Sequence, residues 1–297
     1  MYISYFYFSK IDCKSQSNFP CFVKNGGKMN IAFWSMSSGR SATSCNMLAV
    51  SIMSAVAYSV KGTLLQIDQF SRALDDVFCE KRPSNLLMEE YSYYSKKGLD
   101  KLVDKCQLAE LSEEDLNDNI VPIKDTLMNY VPVSKRTSVG INYREYATFM
   151  KKMLEVLNLT PQLNFIDCIN GDTPVARSIL KEADVVVVNL SQGMNMTDLN
   201  IDREILKKAV YVVGKYDEES EENVSVIRQK FGIDRNDIAV IPYNIHFHDA
   251  VHGGKIVSFI NKCMSARGDN EDLSFINNVF LAAKMVLRKA GYDEERK

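Results

Sequence analysis

The sequence predicts an α/β protein, with a doubly wound, mostly parallel sheet and helices on both faces. Three observations predict it. Short apolar runs alternate with helix-length stretches along most of the chain after Met29. Some of the runs are uninterrupted β-branched residues, as in DVVVV from residue 184, which marks strands covered on both faces. A strand over Ile31, Ala32, Phe33 and Trp34 also runs into a loop of small residues, after which an apolar helix begins near Thr43. Right-handed crossovers turn such a β-α-β order into a sheet sandwiched between helices.

Taken in order, strands are expected at 30–35, 62–67 (GTLLQI), 163–168 (LNFIDC), 184–189, 209–214 (AVYVVG) and 238–241 (IAVI). Helix-like stretches fill 43–59, 173–182, 196–208 and 217–232. Between about 80 and 160 the pattern changes. EEYSYYSKKGLDKLVDKC and YREYATFMKKMLEVLNL read as amphipathic helices, and IVPIKDTLMNYVPV as two short strands. No Pro/Gly/Ser-rich linker flanks this segment, so residues 29–297 are expected to form a single domain with an elaboration inserted at 80–160. A last helix follows the charged loop ARGDNED.

The bulk numbers set limits. A chain of 297 residues is long enough for one large α/β core. Its net charge of −2 gives no global attraction to nucleic acid or anionic lipid. Seven scattered cysteines, odd in number and without a C-x-x-C pair, point to a reducing cytosol rather than a disulfide framework or zinc site. No run approaches the roughly 18 apolar residues of a membrane span. Residues 1–28 stand apart: MYISYFYFSKID lacks the basic start and long apolar block of a signal peptide. Gly26-Gly27 can be encoded as GGAGGN, which resembles a bacterial ribosome-binding site just upstream of Met29. Residues 1–28 are therefore expected to be a non-native extension, the alternative being a disordered arm.

The loop FWSMSSGRSATSCNML is the centre of interest. Unpaired amides and the dipole at a helix N-terminus attract an anion, commonly phosphate. A standard phosphate loop, G-x-x-x-x-G-K-[S/T], sets a lysine on the phosphates and a hydroxyl on Mg²⁺. Its four defined positions here hold Met36, Ser41, Ala42 and Thr43, so only the hydroxyl survives.

The surroundings of this loop resemble the ParA/MinD superfamily, whose deviant loop K-G-G-x-G-K-[S/T]-[S/T] falls on Ser37, Ser38, Gly39, Arg40, Ser41, Ala42, Thr43 and Ser44. Further matches follow in chain order. TLLQID resembles the segment carrying a water-positioning acid, with Gln66 in that place and Asp68 at the second acid. LNFID resembles the Walker B strand, ending in Asp167. AVYVVGKYDEES puts Lys215 where relatives place an adenine-reading asparagine, and IAVIPYNIHFHDA resembles the base-side loop with its proline at Pro242.

This resemblance, extending over roughly 29–265 and closest to the TadZ-like branch of tight-adherence (Flp/Tad-type) pilus assembly, implies a P-loop fold with a degenerate nucleotide site. It implies ATP or ADP held at Gly39, Arg40, Ser41, Ala42, Thr43, Ser44, Lys215 and Pro242, with Mg²⁺ on Thr43, Asp68 and Asp167. Both family lysines are absent: Ala42 replaces the phosphate-contacting one, and Ser37 the one that crosses a dimer. A positioned cation on developing phosphate charge is worth about 3–4 kcal/mol, so efficient turnover is not expected.

The function implied is that of a localisation or assembly factor for a pilus or secretion system. It would be cytoplasmic, recruited at most peripherally to the membrane or a cell pole, with protein partners and a possible homodimer. An active Mg-ATP-dependent dimerisation switch and a partition-type DNA-binding protein are the alternatives, although no Lys/Arg cluster independently argues for DNA. His246 and His248 would point the same way if their segment were extended, but their spacing matches no metal signature. Cys45 and Cys168 read as small buried hydrophobes. In the last helix, Phe280, Ala283, Val286 and Leu287 form an apolar stripe beside Lys284, Arg288 and Lys289, which fits core packing better than membrane anchoring.

Overall fold

The computed structural model describes residues 22–24, 28–67, 74–78, 98–132, 143–159, 162–195, 201–266 and 271–294. Strand β1 (Phe22–Lys24) lies within the leading segment and pairs antiparallel with the last strand, β10 (Tyr292–Glu294). The main fold begins with β2 (Met29–Trp34), α1 (Thr43–Tyr58) and β3 (Gly62–Gln66). After α2 (Leu74–Phe78) come α3 (Leu99–Leu108), α4 (Glu113–Asn119), β4 (Val121–Pro122), β5 (Met128–Tyr130) and α5 (Tyr143–Leu157). The second half alternates: β6 (Leu163–Asp167), α6 (Pro174–Glu182), β7 (Val185–Leu190), α7 (Arg203–Lys207), β8 (Ala209–Tyr216), α8 (Val224–Phe231) and β9 (Ile238–Pro242). Helices α9 (Ile245–Gly253), α10 (Ile256–Ser265) and α11 (Leu273–Lys289) complete it.

Eight strands form one sheet in the order β4-β5-β3-β6-β2-β7-β8-β9. Every neighbouring pair is parallel except β4 and β5. The doubly wound reading and all six strand expectations therefore hold to within a residue or two. The sequence order reverses around β2, which lies between β6 and β7. Open α/β sheets bind their ligands at such a switch point, beyond the carboxyl ends of the strands. The elaboration adds β4 and β5 to one edge of the sheet, and its helix α5 packs against α6.

The pleat divides the core into two layers. Ile31, Phe33, Val185 and Val187 face α1, α10 and α11, while Ala32, Trp34, Val186 and Val188 face α5 and α6. Because both faces are covered, the strand residues need no polar alternation, and β7 is buried throughout. The C-terminal stripe packs into the first layer: Ala283, Val286 and Leu287 are buried, and Phe280 stacks on Tyr58 at 5.4 Å.

Two helix expectations need correction. The stretch 217–232 is helical only from Val224, because Asn223 caps it by accepting from the Ser225 and Val226 amides. Of 196–208, only Arg203–Lys207 is helix; Asp202 caps it at the Glu204 amide, and 196–200 lies outside the described residues. Among the described residues, no helix is long and apolar enough to cross a membrane.

Candidate functional site

The loop from Ser35 to Ala42 leaves β2 at the switch point and enters α1. Gly39 takes φ 77° and Ala42 takes φ 55°, the left-handed region, so the chain turns sharply into the helix. That conformation costs a residue with a Cβ about 1 kcal/mol. Thr173, Asn223 and Asn244 cap their helices with side chains, whereas no side chain caps α1 and its first turn holds no acid. Ser41 and Thr43 are buried, and their hydroxyls lie 3.2 Å apart. Thr43 also donates to Asn170 Oδ1 at 3.4 Å, which turns its hydroxyl toward the chain just beyond Asp167.

Three residues that the sequence reading missed hold this loop in place. Buried Asn46 donates from Nδ2 to the Ser41 carbonyl at 2.9 Å and to Asn189 Oδ1 at 2.8 Å. Asn189, fully buried in β7, donates in turn to the Trp34 carbonyl. Gly214 in β8 lies so close that a Cβ there would come within 2.0 Å of the Ser41 carbonyl oxygen. The signal for the asparagines was visible: each is a lone amide inside an apolar run, SCNML and VVVVNL.

Asp167 ends β6 directly beside Phe33 of β2 and Gln66 of β3, and is 1% exposed. Its charge, together with burial, which is the larger cause, holds the Cys45 thiol above its ordinary pKa, while Lys215 opposes the rise. Gln66 is committed elsewhere: it is buried, and its Oε1 accepts from the Leu74 amide at 3.1 Å, at the start of α2. Asp68 lies outside the described residues.

Lys215 reaches the loop from the far side. Between β8 and β9 the register passes from Gly214↔Ile241 to Tyr216↔Pro242, so Lys215 is a bulged residue, with φ 51°. Its Nζ donates to the Gly39 carbonyl at 3.1 Å. Gly39, Arg40, Ser191, Gln192, Gly193, Gly214 and Lys215 line an open hollow of about 460 Å³. Gln192 braces one wall, donating to the Asp217 and Glu222 carbonyls and accepting from the Asp217 amide. Of the expected nucleotide residues, the structure brings Gly39, Arg40 and Lys215 together around this hollow; Ser41, Ala42, Thr43 and Ser44 continue the same loop into α1 without lining it, and Pro242, at the end of β9, does not line it either.

The histidine segment is corrected: it is the helix α9 rather than extended chain, so the i, i+2 geometry does not apply. Among the described residues no three His, Cys, Asp or Glu side chains are grouped to hold a metal. His246 Nδ1 instead lies 2.9 Å from Asp272 Oδ1, which also accepts from Asn244 at 2.7 Å. The Asp272 hydrogen bond, then its charge, raises the His246 pKa above 6.5, with Glu271 and Asp249 adding to it. Burial would raise the Asp272 pKa, but the bonds from Asn244 and His246 outweigh it and the net direction is down. His246 therefore contributes fully below pH 6.5 and loses its contribution as pH rises through its raised pKa. The stability gap between wild type and His246→Ala should shrink from pH 6 to pH 9 in urea titrations; a gap that widens over that range contradicts the contact.

A strand, a tight loop and a helix at the switch point of a parallel sheet, with a buried carboxylate ending the adjacent strand, match the P-loop nucleoside-triphosphatase fold. Within that class the architecture is that of the ParA/MinD proteins. It is similar to a ParA family ATPase from Chlorobium tepidum TLS, at 12% identity over 86% of this chain and 99% of that one, with a TM-score of 0.60. It is also similar to the septum site-determining protein MinD of Pyrococcus horikoshii OT3, complexed with Mg-ADP, at 15% identity over 89% and 97% of the two chains and a TM-score of 0.61. A plasmid-partition protein of Borrelia burgdorferi B31, bound to AMPPNP, matches at 11% identity over 89% and 99%, with a TM-score of 0.58. At these identities the likeness is one of fold. No protein-family model and no curated protein matches the chain.

The donor set suits a magnesium nucleotide: uncapped helix amides and two cations for phosphate, and a hydroxyl and a carboxylate for the metal.

Proposed function

We propose that this protein holds a nucleotide with magnesium at the loop between β2 and α1 and works through protein contacts rather than through turnover. The observation that carries this reading is a braced loop from which the catalytic side chains are missing. Asn46, Asn189 and Gly214 fix the loop from three elements, yet Ala42 and Ser37 stand at the lysine positions and Gln66 is engaged with α2. In this reading the loop amides with Ser41 and Ser44 hold the phosphates, Thr43 and Asp167 hold magnesium together with Asp68, and Pro242 lies on the base side. Magnesium supplies neutralisation of the phosphate charge. Loss of one positioned catalytic group lowers turnover by roughly 10²- to 10³-fold, and Ser37 and Gln66 stand where two such groups are expected, which leaves binding as the retained property. A localisation or assembly role for a Flp/Tad-type pilus or secretion system, in the cytoplasm and with protein partners or a second copy, is supported by the resemblance to the TadZ-like branch.

Thermal melting with and without Mg-ADP tests this reading, with phosphate release measured in parallel. A ligand at 100 times its Kd adds about 2.7 kcal/mol. The expected result is a rise of several degrees with Mg-ADP and Mg-ATP and no steady phosphate release. No shift at millimolar nucleotide overturns binding. Sedimentation showing a dimer only when ATP is added, together with turnover, establishes the switch instead.

A further inference from the structure

We propose that Lys215 is the phosphate-binding cation of this site, delivered from β8 by the bulge in place of the lysine that the loop lacks. This rests on the nucleotide reading above and adds which residue supplies the charge and which part of the ligand it meets.

The geometry that carries it begins with the backbone. A left-handed lysine is uncommon, and it arises here because the ladder skips from Gly214 to Tyr216. Bulges re-aim a side chain, and this one sends an ammonium across the hollow to the loop, where Nζ meets the Gly39 carbonyl at 3.1 Å. An ammonium has three donors, so a single carbonyl does not exhaust it. The only charged side chains lining the hollow among the described residues are Arg40 and Lys215, both positive. Glu222, whose carboxylate accepts from the amide of the lining residue Gly193, is not itself in that lining and is paired with Lys230. A concave surface with two cations, three glycines and no lining carboxylate is chemically matched to a polyanion. Lys215 is directed at the phosphate loop, so the part of the ligand it meets is phosphate.

Calorimetric titration of the full chain with Mg-ADP and, separately, with magnesium pyrophosphate tests the assignment. The variants are Lys215→Met and the double variant Lys215→Met/Ala42→Lys. Lysine in place of alanine at position 42 inherits the same backbone angles and restores charge without rebuilding the Lys215–Gly39 bond. A hydrogen bond to a charged group is worth about 1.5–3 kcal/mol, so Lys215→Met should weaken both ligands by roughly 10- to 100-fold. The double variant should recover most of that loss. Unchanged affinity in Lys215→Met overturns the assignment and leaves the nucleotide reading standing. Loss for Mg-ADP with none for pyrophosphate places Lys215 at the base and overturns it too. Loss that the double variant fails to recover means that Lys215 braces the loop and is not the cation. Wild type that binds neither ligand refutes the nucleotide reading itself. Melting of each variant without ligand confirms that the fold persists.

Discussion

Gly214→Ala should destabilise the protein by about 1–3 kcal/mol and abolish the nucleotide binding proposed for the loop, although it adds only one methyl group. The added carbon would come within 2.0 Å of the Ser41 carbonyl oxygen and 2.7 Å of Asn46 Nδ2. Neither atom can step aside cheaply. The first is backbone in a loop that Asn46 holds, and the second already makes two hydrogen bonds. Parting the loop from β8 relieves the strain, and it separates Lys215 from Gly39 as well. Gly253→Ala is the control, since a Cβ there has its nearest neighbour at 4.0 Å. Urea denaturation of both variants and Mg-ADP titration of the folded ones measure the difference. Equal stability of the two variants would falsify the close approach.

Asn46→Ala should cost about 2–4 kcal/mol, because it leaves the Ser41 carbonyl and Asn189 Oδ1 without their donor in a buried place. Asn189→Ala removes the acceptor for one Asn46 hydrogen and the donor to the Trp34 carbonyl. Each single change therefore strands a polar group that the double change deletes. The double variant should cost less than the sum by about 1 kcal/mol or more. Strict additivity in urea denaturation would show that the two amides act independently and that something else holds the loop.

The sheet was legible because its signal is local and redundant. Continuous β-branched runs such as 184–189 have few alternatives to a strand buried on both faces, and the helices between them fix the parallel order. The limits of α7 and α8 were harder to read. Asp202 caps α7 by one side-chain bond and Asn223 caps α8 by two, and a cap is indistinguishable in sequence from any polar residue within a helix. The histidine segment misled for a related reason: Asn244 starts a helix there by accepting from the Phe247 amide, and that decision rests on a carboxamide two residues before the first histidine. The loop residues were legible from strand-loop-helix chemistry, but their bracing was not. Asn46 and Asn189 are 143 residues apart, and Gly214 is required only because Ser41 arrives beside it. Gln66 shows the limit of positional transfer: the residue occupies the expected strand end, yet its side chain serves α2.

Trp34 is the only tryptophan in the chain, and it ends the strand that feeds the loop. It is 2% exposed, with its indole N–H donated to the Gly171 carbonyl at 3.0 Å. Its own carbonyl accepts from Asn189, the amide that steadies Asn46. Any rearrangement of the loop or of the turn beyond Asp167 must therefore change the surroundings of a single fluorophore. Its emission should lie toward the blue end of the indole range and should shift or quench when a ligand enters. The molecule carries an intrinsic optical probe at the threshold of its candidate site, which Trp34→Phe would silence, and through which the proposed binding can be followed in real time without a label.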